Sequence, residues 1–394
     1  MNLRQLFLQH LAQTSDAPLA LHIVRAEGCI LTDDQGNEYL DLVGGISVAN
    51  VGHRHPKVLE AIQDQLGKYL HIMVYGEMVQ TPQVRYAELL CKHLPAHLDS
   101  VYFTNSGAEA VEGAMKLAKR VTGRTQVVAF DKSYHGSTQG ALSIIGDEYW
   151  RNAFRPLLPG VDHLRYNSFD DLERICADTA CVVVETVQAE AGIIVPVNGW
   201  LTALAARCRE TGALLVLDEI QAGFGRTGKL WGFQHYDVEP DILLLGKALG
   251  GGMPLGAFIA RREHMNQLAS QPVLGHITTF GGHPVCCAAG LAAFELLLEN
   301  DLAVTRKEQV FLKHLAEAGL ENVRSAGLWM AVEFPDEKIC RTVIDDCIAQ
   351  HVFTDWFLFA SHCMRISPPL TITEEQIAHA CSVIARAVQK QARS

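Results

Sequence analysis

No stretch of the 394 residues is long and apolar enough to span a bilayer. No run of Lys or Arg interrupts a chain of net charge −11. That excludes the basic footprint of a nucleic-acid or anionic-membrane binder. Nothing repeats at a fixed period and no low-complexity linker divides the chain, so solenoids and beads on a string are excluded. The opening MNLRQLFLQHLAQTS lacks both a long apolar core and a cleavage site, so it does not read as a secretory signal, and a cytoplasmic location is expected. Cysteine is not scarce, but its eleven copies are odd in number, scattered, and mostly set inside apolar runs. That is the usage of a reducing compartment rather than a disulfide framework. His53 and His55 stand close together, yet no further Cys or His is spaced to complete a site, so no metal is expected. What is present is a globular composition, 48% hydrophobic and 20% charged, at a length that predicts two or three domains or one large domain with a satellite.

The most informative stretch is 213–256, ALLVLDEIQAGFGRTGKLWGFQHYDVEPDILLLGKALGGGMPLG. Its two apolar runs, 214–217 and 242–245, each have the length of a strand buried on both faces. One runs into Asp218, the other into Lys247. If both are parallel strands of one α/β sheet, the carboxylate and the amine emerge at the carboxyl edge, where such sheets bind ligands. A Lys there is poorly solvated, so its amine is held nearer neutrality and can attack a carbonyl. Taken alone, a Lys after a strand is more often a solvated strand end, and an Asp there more often a helix N-cap. The same stretch holds a literal GxGxxG from Gly223 to Gly228 and a GxxxxGK ending at Lys229. Leu230 stands where a nucleotide loop needs Ser or Thr, and the residues after Lys229 do not open a helix. The glycine segment is therefore expected to be a tight surface turn.

The long motif LLVLDEIQAGFGRTGKLWGFQHYDVEPDILLLGKALGGGMPLGA resembles the signature of the class III pyridoxal-phosphate aminotransferases, close to the acetylornithine/ornithine branch. The resemblance covers nearly the whole chain, from about residue 18 to the C-terminal helix. It implies an α/β, type I (aspartate aminotransferase-like) fold with a mostly parallel sheet. The large domain would span 41–290, and a small α+β domain would combine 1–40 with 291–394. It implies pyridoxal 5′-phosphate as cofactor, held by Lys247 as an internal aldimine, with Asp218 keeping the ring nitrogen protonated and Gln221 at its phenolic oxygen. Partners would be an amine or amino-acid donor, a keto-acid acceptor and a second copy of the chain, in a homodimer with shared active sites.

Other segments take their place in that frame. Residues 1–40 are expected to open with a short helix and then form a hairpin around 33–36. Pro56 should start a helix through Leu70. Residues 101–104 read as a strand entering Asn105-Ser106-Gly107-Ala108-Glu109, with helical spacing after it. Ser106 and Glu109 form a capping-box pattern, and capping alone could explain both. The resemblance adds a cofactor phosphate at Ser106, Gly107 and Ala108, where a helix start favours a dianion.

The strand 126–130 leads to Tyr134, His135 and Ser137. The family stacks an aromatic at Tyr134 on the cofactor ring beside His135. Ser137 is a departure, since acetylornithine- and ornithine-type members usually carry Arg there for a substrate carboxylate. Residues 181–184 end at Glu185, with Glu190 following. The family pattern Glu-Pro-x-Gln-Gly-Glu is altered at Thr186 and Ala189. The resemblance places Glu185 near Asp218, and Glu190 near substrate and an Arg. Thr278 and Thr279 match the segment that reaches the neighbouring subunit, with Thr278 as a substrate-binding residue and Thr279 at the partner's phosphate. Ile46 would lie near the substrate tail. A long helix should begin near Pro284, a strand should cover 327–334, and Arg365 matches the Arg that binds a substrate carboxylate through its planar fork.

The expected reaction is transamination of a terminal amine. Another pyridoxal-phosphate reaction, decarboxylation of a dialkyl amino acid or an aminomutase shift, is the alternative. A nucleotide-binding protein using the glycine segment is a distant third.

Overall fold

A computed structural model describes residues 2–391; Met1 and residues 392–394, the tail of the segment expected in the small domain, lie outside the described residues. At the amino end, a helix at Leu3–His10 precedes strands β1 (Ile23–Glu27), β2 (Ile30–Asp33) and β3 (Glu38–Asp41). A seven-stranded sheet follows, built from β4 (Ser100–Thr104), β5 (Gln126–Phe130), β6 (Val161–Leu164), β7 (Thr179–Glu185), β8 (Leu214–Asp218), β9 (Ile242–Leu245) and β10 (Gly256–Ala260). Its order is β4-β10-β9-β8-β7-β5-β6. Only β10 runs against its neighbours; the other pairings, from β6 across to β9, are parallel.

The sheet is covered on both faces because its central strands β7, β8 and β9 are apolar along their length up to the residues that end them. Alternate residues serve different cores, as the two-residue period of a strand requires. Val182, Leu215, Leu217 and Leu243 pack with Trp200, Leu201 and Leu204 of the Trp200–Thr211 helix. Val183, Val216, Ile242 and Leu244 pack with Val111, Ala114, Met115 and Ala118 of the Gly107–Thr122 helix. That helix lies close to the sheet at Gly113, where a Cβ would collide with the Phe258 ring.

The remaining strands are β11 (Val323–Ser325), β12 (Met330–Glu333), β13 (Val352–Phe353), β14 (Trp356–Phe357) and β15 (Ala360–Ile366). They form sheets ordered β1-β2-β3-β13 and β11-β12-β15-β14. A single core joins Cys29, Leu40 and Leu42 to Phe311, Met330, Ile366 and Ile384, so both ends of the chain share it. The Pro284–Glu299 helix begins where the sequence placed it, with His283 Nδ1 accepting from Val285 N at 3.3 Å.

Three local expectations need correction. The helix opened by Pro56 ends at Leu66, not Leu70, with Gly67 as its C-cap. The strand expected over 327–334 is only Met330–Glu333, because Gly327 turns with φ +71. The glycine segment 223–228 is not a surface turn, for Gly223, Phe224, Arg226 and Thr227 are buried. Arg226 is fully enclosed and donates to Leu328 O at 2.8 Å, Pro368 O at 2.6 Å and Asn50 Oδ1 at 2.5 Å. Those acceptors come from three distant segments, and together they draw the polar turn inward.

Candidate active site

At the carboxyl edge of β7, β8 and β9 lies a cavity of about 270 Å³. Glu185 and Asp218 are register partners at the ends of β7 and β8, and Lys247 follows β9. The cavity is also lined by Gly107, Ala108, Tyr134, His135, Ser137 and Gln221. The structure therefore gathers nine of the residues singled out in the sequence around one space. A larger open cavity of about 820 Å³ lies near Leu215, Asp241 and Arg261, at the opposite end of the strands, and holds none of them.

Lys247 takes φ +48, a left-handed conformation that costs a non-glycine residue about 1–2 kcal/mol. Gly246 before it packs between Ile220 and the helix start, where a Cβ would stand 3.1 Å from Ile220 Cγ2 and 3.4 Å from Gly107 Cα. Burial pulls the Lys247 amine down to about 8, against the upward pull of Glu190, Asp218 and Glu185. The sequence argument for a less protonated amine thus has a physical counterpart.

Asp218 accepts from Ile220 N at 2.9 Å and pairs with His135 Nδ1 at 2.7 Å. Burial disfavours the His135 imidazolium, but Asp218 and Glu185 outweigh it and the net direction is upward. Burial pushes the Glu185 carboxyl up to about 7, with Asp218 adding to the push. Glu185 still accepts from Tyr134 N at 2.9 Å and Ala189 N at 2.8 Å, so it fixes both cavity walls. The Tyr134 hydroxyl lies 3.3 Å from Ser137 Oγ.

The capping box is only half formed. Ser106 Oγ accepts from Glu109 N at 3.2 Å, while Glu109 reaches back to Asn105 N and Nδ2, at 2.9 and 2.8 Å, rather than to Ser106. The N–H groups of Gly107 and Ala108 have no partner among the described residues. His135 Nε2 is also buried without one. Two unclaimed donors at a long helix start, sharing a cavity with an acid and an amine whose pKa burial lowers to about 8, fit a phosphate-bearing pyridine aldehyde such as pyridoxal phosphate.

The structure leaves other singled-out residues outside the cavity wall. Thr278 Oγ1 accepts from Asn105 Nδ2 at 3.0 Å, and Thr279 is exposed. Ile46 is half-buried with φ +61, next to Ser47, whose hydroxyl lies 3.5 Å from Gln221 Oε1. Arg365 is not an open fork. It is buried, and it meets Glu190 at 3.0–3.2 Å and Asp355 Oδ1 at 2.7 Å. His53 pairs with Asp41 at 2.7 Å, and His55 lies in the turn before the Pro56 helix, so the two histidines do not share a ligand. A separate trio, Glu333, His362 and Cys363, brings potential ligand atoms within 4.8 Å of one another, but Arg324 already bonds Glu333 and Cys363.

The class III aminotransferase family model matches residues 11–388. The chain is 41% identical over 387 residues to the acetylornithine aminotransferase of Methanopyrus kandleri, covering 96% of this chain and 97% of that protein. The chain belongs to the class III aminotransferases. It is therefore a pyridoxal-phosphate-dependent transaminase with the type I transferase fold, using an amino donor and a keto-acid acceptor. Among solved structures, this class III chain is similar to the ornithine aminotransferase of Toxoplasma gondii, with TM-score 0.91 and 29% identity, covering 99% of this chain and 95% of that one. It is also similar to an (S)-enantioselective omega-transaminase of Thermomicrobium roseum, with TM-score 0.86 and 28% identity, covering 98% and 96%.

Thr186, noted in the sequence where the family pattern has Pro, donates its hydroxyl to Glu219 at 2.6 Å. Sequence reasoning missed other residues near the class III site. Asp355 was not singled out, because only the hairpin brings it to Arg365. Val187 and Ile220 line the cavity as apolar walls that no local motif marks.

Proposed function

We propose that this aminotransferase takes the amino group of a terminal (omega) amine, of the acetylornithine/ornithine kind, and passes it to a keto acid. The observation that carries the reading is the Lys247 amine, held by burial to about 8, in one cavity with Asp218 and the Gly107–Thr122 helix start. Bound pyridoxal phosphate supplies the electron sink for the charge left on the donor carbon. Gly107 and Ala108 N–H, with the Ser106 hydroxyl, receive the phosphate. Tyr134 would cover the ring, Gln221 would meet its phenolic oxygen, and Asp218, backed by His135 and Glu185, would keep its nitrogen protonated. With the cofactor bound, Lys247 would act as general base and then general acid, carrying the proton taken from the amine-bearing carbon.

Glu190 covers Arg365 while the terminal amine reacts, and releases it for the α-carboxylate of the keto acid. Ile46 and Ser137 border the donor's tail. Thr278 and Thr279 serve a neighbouring subunit, with Thr279 at its phosphate, so the working unit is a cytoplasmic homodimer with shared sites. A large domain at 41–290 and a small domain from 1–40 and 291–394 divide the chain. No helix among the described residues is long and apolar enough to cross a membrane, and neither membrane nor nucleic acid is a partner.

The test is a panel of diamines, α-amino acids and plain amines, followed by the absorbance change of the cofactor, with carbon dioxide measured alongside. Amination of the cofactor by terminal amines without carbon dioxide supports the reading. Stoichiometric carbon dioxide would overturn it in favour of decarboxylation. Borohydride reduction should fix the cofactor on Lys247, and labelling of Lys229 instead would sink that assignment.

A further inference from the structure

Arg365 faces more acid than one carboxylate-binding arginine needs. Its Nη1 and Nη2 donate to Glu190 at 3.0–3.2 Å, its Nε donates to Asp355 Oδ1 at 2.7 Å, and Nη2 also reaches Trp356 O at 3.2 Å. The Phe357 ring centroid lies 4.3 Å from its guanidinium carbon. One positive charge is thus set against two carboxylates. The two acids are attached differently. Glu190 lies in the segment after β7 and is also tied to Leu358 N at 3.0 Å. Asp355 sits beside Arg365 in the β14–β15 hairpin, where Arg365 N donates to Asp355 O at 2.8 Å and Thr354 Oγ1 donates to Arg365 O at 2.5 Å. A carboxylate ligand that displaces the Glu190 side chain breaks its bond to Leu358 N in the hairpin turn, whereas Asp355, bonded to Arg365 through both backbone and side chain, stays on the guanidinium.

We infer that Asp355 is a specificity-determining residue that partly neutralises Arg365 and weakens the site for any substrate with a carboxylate beside its reacting carbon. The inference rests on the proposed reading of Arg365 as the carboxylate site and adds which residue sets its strength. Ser137 supplies no charge in compensation, and Arg151 is committed to Glu148 and Ser143 O. The substrate class that fits is a donor whose reacting amine sits on a carbon without a carboxylate, as in a diamine or the far end of an ω-amino acid.

The probe is glutarate, which has two carboxylates and no amine and so cannot react, titrated into the cofactor-loaded protein and read by cofactor absorbance. Asp355→Asn should bind glutarate on the order of tenfold more tightly than the parent, the worth of one charge-assisted contact. The ratio of KM for glutamate to KM for 1,4-diaminobutane should fall by a similar factor. A side chain that merely props up Arg365 would give the opposite sign. Equal or weaker glutarate binding by Asp355→Asn, and by the smaller neutral Asp355→Ser, overturns the inference. Glu190→Gln separates the two levels of the argument. If it tightens glutarate and the Asp355 variants do not, only this inference falls. If none of the three changes glutarate binding, the reading of Arg365 as the carboxylate site falls with it.

Discussion

The end of β8 presents two adjacent acids to opposite surroundings. Asp218 looks into the cavity, and Glu219 looks away from it into packed protein. Both are buried, and burial pushes the Glu219 carboxyl up to about 7, as it does Glu185 on the cavity side. The difference lies in what is left over. Glu219 accepts from Thr186 Oγ1 at 2.6 Å, Gly232 N at 2.7 Å and Phe233 N at 2.8 Å, three donors from two loops closed on one carboxylate. On the cavity side His135 Nε2, the Gly107 and Ala108 N–H groups and the Lys247 amine make no bond among the described residues. Burial and a raised pKa therefore do not distinguish the two regions. Unspent hydrogen-bonding capacity does.

The strongest way to break this comparison is Lys247→Ala. It should lower turnover by at least about 10⁴-fold, since both proton steps lose their carrier. Thermal melting of the cofactor-free variant should stay at or above that of the cofactor-free parent, because a buried cation has been removed. Steady-state rates and a melting curve check both halves. Asp218→Asn should slow the single-turnover proton transfer by about 10²–10³-fold; a loss of only a few-fold would place Asp218 with Glu219 as a structural acid.

Glu219→Gln sharpens the contrast from the other side. Its amide NH₂ must face N–H donors, so denaturant unfolding should show a loss of about 1–3 kcal/mol, while single-turnover rates stay within a few-fold. Ser137→Arg adds a charge at the cavity mouth and should improve the apparent affinity for glutamate by about one to two orders of magnitude. A parent enzyme that already prefers glutamate strongly, with no gain in the variant, contradicts the argument from the missing Arg.

The smallest effect is a shift on the pH axis. In cofactor-free protein, the rate of Lys247 acylation should rise as pH rises through about 8, where the amine loses its proton, and level off above. An ordinary lysine keeps gaining up to its value of 10.5. Mass spectrometry of the modified lysines reads both curves.

The cavity side was largely legible in the sequence because its signals are local. An apolar run of four or five residues ending in Asp or Lys marks a buried strand and what emerges from it. Ser106-Gly107 marks a helix start whatever the fold around it. The opposite side was not legible, since its partners are long-range. Nothing near Arg226 shows that Leu328, Pro368 and Asn50 will offer it oxygens, so a segment of Gly, Arg, Thr and Lys looked like surface. Asp355 reaches Arg365 only through the irregular β14–β15 register, where the pairing shifts between Trp356 and Phe357. Arg365 and an Arg partner for Glu190 were expected from the sequence, and only the second acid, Asp355, was not.

The pairing of β3 with β13 joins Leu40 to Val352 and Asp41 to Phe353, strands from opposite ends of the chain. Synthesis runs from the amino end, so the β3 edge leaves the ribosome early and waits for most of the polypeptide before its neighbour exists. During that interval its ladder groups stay open, the condition under which strand edges recruit wrong partners. A premature stop ahead of Val352 would remove more than the carboxyl-terminal segment. It would leave the first hairpin of the protein without the strand that closes it, and such fragments should require chaperones or be degraded even with every cavity residue from Ser106 to Lys247 intact.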